Sequence, residues 1–121
     1  MKEIEFRGRC IGMNKDKWVY GYYRKEVDDS HWVRYRIAKT HYADAEVDPK
    51  TVEQYIELKD NNNKKIFEGD RVLNKDGFEK IVYFDKEYLQ WRLGKFGIKT
   101  QFDKTESVFV NSDNIEVIGH I

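Results

Sequence analysis

Apolar residues in this chain come in short runs of Val, Ile, Tyr, Phe and Trp, cut every few residues by polar clusters. β-branched and aromatic side chains fit a pleated surface, so such runs predict strands rather than helices. The chain must therefore build its core from many short strands.

Residues 3–11 read as a first strand, Gly12 to Asp16 as a turn and residues 17–25 as a second strand paired with the first. Glu26 to Ser30 is a charged turn. Residues 31–38 alternate cleanly: Val33, Tyr35 and Ile37 share one face, and Trp32, Arg34 and Arg36 share the other. His41 sits near a loop. Asp48-Pro49 is a helix start, with Asp as N-cap and Pro at the first helical position. Val52, Tyr55 and Ile56 then recur at helical spacing, yet Thr51 to Leu58 is also β-branched and nearly alternating. The reading is one helical turn at 49–52 and then a strand at 53–59. Asn61-Asn62-Asn63 is a turn, because Asn tolerates the left-handed backbone. Ile66-Phe67 is a short strand, Gly69 breaks it, and Arg71-Val72-Leu73 begins another. Asp76-Gly77 predicts a two-residue hairpin turn between 72–75 and 78–84. Tyr88 to Leu93 follows, with Leu89, Trp91 and Leu93 on one face. Ser107 to Val110 and Ile115 to Ile118 complete about nine strands.

The expected fold is mainly β, a single domain over residues 1–121, with antiparallel strands and at most one short helix near 49–52. Residues 69–94 have the pattern of a small SH3-like barrel in the C-terminal half. That architecture hosts many functions and names none.

Charge narrows the role. Lys and Arg number 22, as do Asp and Glu, with 12 of each sign in residues 1–60 and 10 in residues 61–121. Nucleic-acid binders commonly carry a basic excess, since phosphate neutralisation drives their affinity. Zero net charge also leaves little repulsion between copies. The 15% aromatic content offsets the disorder that 36% charged residues would otherwise suggest. One cysteine, Cys10, forms no internal disulfide, and the first seven residues contain no apolar stretch, so no secretory signal is expected. No run reaches the roughly 18 apolar residues of a membrane span. A cytoplasmic location follows as the expectation.

Chemical motifs are sparse. Cys10, His31, His41 and His120 stand at no zinc-binding spacing, and no glycine-rich nucleotide pattern is present, so neither metal nor cofactor is expected. Glu68 and Asp70 flank Gly69, but paired acids are common at this acidic content and read as charged turns. No nucleophile–base–orienter set is apparent, and the chain is not expected to be an enzyme. The informative feature is a sheet face combining Tyr22 and Arg24 with Trp32, Arg34 and Arg36. Such a face reads first as solvated or shared with the core, but aromatic and arginine side chains also enrich protein interfaces. They can also stack bases and meet phosphates, so a nucleic-acid module is the alternative.

One segment carries a family likeness. Leu58-Lys59-Asp60-Asn61-Asn62-Asn63-Lys64-Lys65-Ile66-Phe67-Glu68-Gly69-Asp70-Arg71-Val72 resembles a motif of the YopX family of phage and prophage proteins. The opening around Met1 to Gly8, the run Lys17 to Tyr23, the lead-in Val47 to Tyr55 and the ending Ile115 to Ile121 are similar in order. Three departures stand out. Ile56-Glu57 occupies the place of the family's Thr-Gly, Asn63 replaces its turn glycine, and many members continue with a polar tail beyond the position of Ile121. The resemblance implies a phage-encoded protein of the bacterial cytoplasm with no established activity, and so no catalytic residues to carry over.

The motif also reads physically. Lys59, Asp60 and Asn63 belong to a polar turn, Ile66 and Phe67 anchor the core, Gly69 allows a bend after Glu68, and Asp70 bonds backbone N–H groups in that bend. The motif is thus read as structural. The expected function is that of an accessory protein acting by contact with copies of itself, or with a host or phage protein.

Overall fold

A computed structural model describes residues 4–12, 15–96, 102–110 and 114–120, with the backbone alone at 95–96 and 102–109. Glu3 of the expected first strand, Met13 and Asn14 of the expected turn, and Ile121 lie outside the described residues. The fold is mainly β, as the sequence predicts. The chain divides into two compact units, Met1–Tyr55 and Ile56–Ile121.

The first unit contains β1 (Phe6–Arg9), β2 (Trp18–Lys25), β3 (His31–Ala38) and β4 (His41–Glu46), followed by a 3₁₀ turn at Pro49–Thr51. Neighbouring strands pair antiparallel, β1 with β2, β2 with β3 and β3 with β4. The sheet also curls: Cys10 bridges Val47, the Ile11 N–H donates to the Glu46 carbonyl at 3.0 Å, and the Asp48 N–H donates to the Arg9 carbonyl at 2.9 Å. Cys10, Val19, Val33 and Val47 form the core of this unit, with Tyr35, Ala45 and Val52 packed against them. The 3₁₀ turn begins as expected, with Asp48 as N-cap accepting the Lys50 N–H at 3.0 Å and Pro49 in the first position.

The boundary between the units falls inside β5 (Glu53–Lys59), which occupies the span expected for it. Then follow β6 (Lys65–Phe67), β7 (Asp70–Asn74), β8 (Glu79–Asp85), β9 (Gln90–Phe96), β10 (Phe102–Phe109) and β11 (Ile115–His120). One sheet runs β4-β3-β2-β1-β5-β6 and the other β10-β9-β8-β7-β11. In the second unit Ile56, Ile66, Val72, Val82, Leu93, Ile115 and Val117 form one buried cluster. A four-strand meander with β11 returned beside β7 is compatible with the expected SH3-like barrel. No ladder between β10 and β11, which would close it, occurs among the described residues.

Several details depart from expectation. The described residues form eleven strands rather than about nine. All ten spans read as strands from the sequence are occupied, and the addition is β4, where a loop near His41 was expected. Ala, Asp and Glu have weak intrinsic strand preference, so the β3 ladder, not local propensity, recruits the segment. The first strand is shorter than residues 3–11, and the strand expected at 107–110 is longer, beginning at Phe102. The β7–β8 hairpin forms, but not with a two-residue turn. The Gly77 N–H donates to the Asn74 carbonyl at 3.0 Å, and the Asn74 N–H donates to Phe78 at 3.0 Å. Gly77 has φ +83°, while Asp76 is not in the left-handed region. This is a three-residue loop with a glycine bulge. The Asn74 side chain fixes it by accepting the N–H groups of Asp76 and Phe78 at 3.1 and 2.9 Å. Leu89 does not share a strand face with Trp91 and Leu93. It sits in the preceding turn at φ +53°, 76% exposed. Ile37, at the far end of β3, runs past the core and is exposed.

Candidate functional site

Strand register brings the five singled-out face residues together. Tyr22 stands opposite Arg34 and Arg24 opposite Trp32, so these side chains share a face, and alternation adds Arg36. The adjoining β4 contributes Tyr42, Asp44 and Glu46 opposite Arg36, Arg34 and Trp32. Tyr20, Tyr22 and Tyr42 are 47%, 45% and 53% exposed, so the face presents aromatic rings to solvent.

The arginines are held within the sheet. Asp44 Oδ1 accepts from Arg34 Nε at 2.9 Å, and Oδ2 from Arg34 Nη2 at 3.2 Å, a bidentate pair. Arg24 Nη1 lies 3.2 Å from the same Oδ1, and Arg24 Nε donates to Glu26 at 2.5 Å. The Arg24 guanidinium also rests over the Trp32 ring, 5.7 Å from its centroid. The Trp32 indole N–H donates to Ser30 Oγ at 2.8 Å. Arg36 turns away from this cluster and donates to the carbonyls of Ala38 and Lys39, closing the β3–β4 turn. The hydrogen bond from Arg34 is the main cause holding the Asp44 carboxyl below its ordinary range. Partial burial opposes that shift, and the bond and charge of Arg24 and the charge of Arg34 reinforce it.

Asp44 is the site residue that sequence reading missed. The trace it leaves is the alternation of small and polar residues in Tyr42-Ala43-Asp44-Ala45-Glu46. Without a large apolar residue at Ala43 or Ala45, that alternation does not by itself mark a strand.

The remaining candidates are dispersed. Cys10 is buried, and burial pushes its thiol up, against the opposing charge of Lys17 and its own backbone hydrogen bond. His31 stacks on Tyr23, with Nδ1 2.5 Å from the phenol oxygen. His41 opens β4 and His120 closes β11. Among the described residues no group of three or more His, Cys, Asp or Glu side chains is placed to hold a metal ion. No helix among them is long and apolar enough to cross a membrane.

The central motif folds into a structural joint. Lys59 ends β5 in solvent. Asp60 is 6% exposed, and its Oδ1 accepts the N–H groups of Asn62 and Lys64 at 2.9 and 2.8 Å. Its backbone closes the same turn through Lys64, and Asn63 takes φ +63°. Ile66 and Phe67 are buried, and Glu68 is half-buried. Gly69, at φ +83°, donates its N–H to the Val82 carbonyl at 2.9 Å. Asp70 is not the solvated turn charge expected of the Glu68/Asp70 pair. It is 1% exposed and accepts the Phe67 N–H at 2.8 Å.

The family model described as YopX protein matches residues 6–121. The chain belongs to the YopX family. No curated protein matches it. The YopX motif around Asp60 is therefore a turn and core anchor, while the exposed aromatic face lies on β2, β3 and β4. One departure from the family pattern gains a physical meaning. Glu57, at the place of the family's glycine, has φ +68°, a conformation that favours glycine.

Proposed function

We propose that this YopX protein is a small phage- or prophage-encoded accessory protein of the bacterial cytoplasm, without catalytic chemistry, that acts by protein–protein contact and self-associates. The observation that carries this reading is the Asp44 clamp on Arg34 and Arg24. A surface built for phosphate would leave its guanidinium groups open for charge-assisted bonds to the ligand. Here the guanidiniums of the face already hold carboxylates or carbonyls, and exposed tyrosines surround them. Tyrosines beside internally paired charges fit an interface better than a phosphate track. Zero net charge supports self-contact as well.

Light scattering across a dilution series tests the reading. A mass above 14.6 kDa that persists on dilution is expected. Retention on single-stranded DNA or RNA that weakens steeply with salt, together with a monomeric mass, would replace this reading with the nucleic-acid alternative.

A further inference from the structure

We infer that two copies of this chain pair through β4, antiparallel and edge to edge, about a two-fold axis at Ala43. The inference rests on the self-association proposed above and gives it a site and a register. β4 ends its sheet, and among the described residues no named strand pairs with its outer side. The Val47 N–H donates to the His31 carbonyl at 2.9 Å, which fixes the parity of the ladder. Ala43, Ala45 and Val47 turn their backbone groups toward β3, and Tyr42, Asp44 and Glu46 turn theirs outward. The outward carbonyl of Glu46 already accepts the Ile11 N–H at 3.0 Å. Among the described residues, no backbone bond reaches the outward groups of Tyr42 or Asp44.

That short window sets the register. A two-fold axis between antiparallel strands keeps each strand's faces in common, so directly opposed residues have the same parity. A centre at Ala43 uses both free residues of both copies. Tyr42 meets the partner's Asp44, Asp44 meets the partner's Tyr42, and four backbone hydrogen bonds form. A centre at Asp44 would oppose two carboxylates and set Tyr42 against Glu46, whose carbonyl is occupied.

The side chains agree with the Ala43 centre. Asp44 arrives already compensated by Arg34 and Arg24, so a tyrosine and a neutralised carboxylate face each other. Residues 42–46 contain no proline and no lysine, two common protections of an open edge. Pairing would extend the exposed tyrosine face of one copy into that of the other.

Cysteine cross-linking tests the register. A non-hydrogen-bonded antiparallel pair places Cα atoms about 4.5 Å apart. That separation lies within disulfide range, about 4.4–6.8 Å. In a Cys10→Ala background, Ala43→Cys is expected to form a disulfide-linked dimer in mild oxidant at least about tenfold faster than Asp44→Cys. Tyr42→Pro removes one outward donor and leaves the β3 ladder intact, since proline is tolerated where an edge N–H faces solvent. Its mass is expected to fall to that of a monomer while its circular dichroism stays β-like. An oligomeric wild type whose Ala43→Cys variant links no faster than Asp44→Cys, or whose Tyr42→Pro variant keeps the oligomer mass, overturns the β4 pairing and leaves self-association standing. A wild type that is monomeric at about 100 µM overturns both.

Discussion

Asp60 Oδ2 accepts the buried N–H of Val117, 57 positions further along the sequence, at 2.8 Å. Val117 lies in β11, the end strand of its sheet, and the neighbouring Ile115 carbonyl accepts the Asn61 N–H at 3.0 Å. The turn at residues 60–64 thus supplies the hydrogen bonds that another strand would have made. This edge is covered, whereas Tyr42 and Asp44 on β4 have no such cover among the described residues. Covering an edge with a loop blocks intermolecular pairing there, whereas β4 keeps two outward-facing residues open to it.

Asp60→Ala is expected to destabilise the protein by about 3 kcal/mol in urea titration. The change strands three N–H donors, and a buried unsatisfied donor costs about 1–3 kcal/mol. Asn62 and Lys64 lie nearer to water than Val117, which moderates the sum. Asp60→Asn is expected to fall between wild type and Ala, because the amide oxygen can replace only one of the two accepting oxygens. A wild-type midpoint for Asp60→Ala would contradict the edge-covering role.

Acid should expose the same contact. Burial pushes the Asp60 carboxyl up, but the N–H bonds from Val117, Lys64 and Asn62, with the charge of Lys64, outweigh it and hold the group below its ordinary value. A carboxylate depressed in the folded state stabilises it fully above the unfolded value, about 3.9. That contribution is lost as pH falls through the lower folded value. Wild type is therefore expected to lose stability more steeply than Asp60→Asn as pH drops below about 4. Parallel acid titrations of the two proteins by fluorescence would count against the assignment.

Glu57→Gly is expected to stabilise the fold by roughly 0.5–1 kcal/mol. A non-glycine residue at φ +68° pays about 1–2 kcal/mol, of which glycine's larger unfolded-state entropy returns part. Thermal and urea midpoints should both rise. Glu57→Val, which is β-branched, should lower them.

Asp44→Ala releases Arg34 and leaves Arg24 held by Glu26 alone, beside Trp32. The variant should remain folded, since exposed ion pairs contribute little to stability. It is expected to show stronger salt-sensitive retention on single-stranded DNA than wild type, because a freed guanidinium beside aromatic rings suits stacked bases and phosphates. Equal retention by both proteins would remove Asp44 as the group that keeps this face off nucleic acid.

Cys10 should be inert in the native protein. It is 2% exposed, and burial raises its thiol above the ordinary value, so little thiolate is present at neutral pH. An aromatic disulfide reagent should label it at least about tenfold faster in denaturant than in buffer. Cys10→Ala should cost about 1 kcal/mol, as a small core truncation.

Much of this architecture can be read from neighbouring residues alone. Asp48-Pro49 dictates the 3₁₀ turn, Asn63 accepts the left-handed backbone, and the alternation of β3 places Trp32, Arg34 and Arg36 on one face. Each follows from a dihedral preference or a two-residue period, which are properties of adjacent side chains. Tertiary structure decided what adjacent residues do not encode. The segment His41–Glu46 became a strand because β3 offered it a ladder, and only then did Asp44 reach two arginines. Leu89 was excluded from the core because the chain turns there, despite its apolar side chain. Asp60 found Val117 because β11 returns beside β7, and Glu57 holds a conformation suited to glycine within β5. Hydrogen-bond ladders and charge pairs join segments far apart in sequence, so they exist only once the sheets have formed.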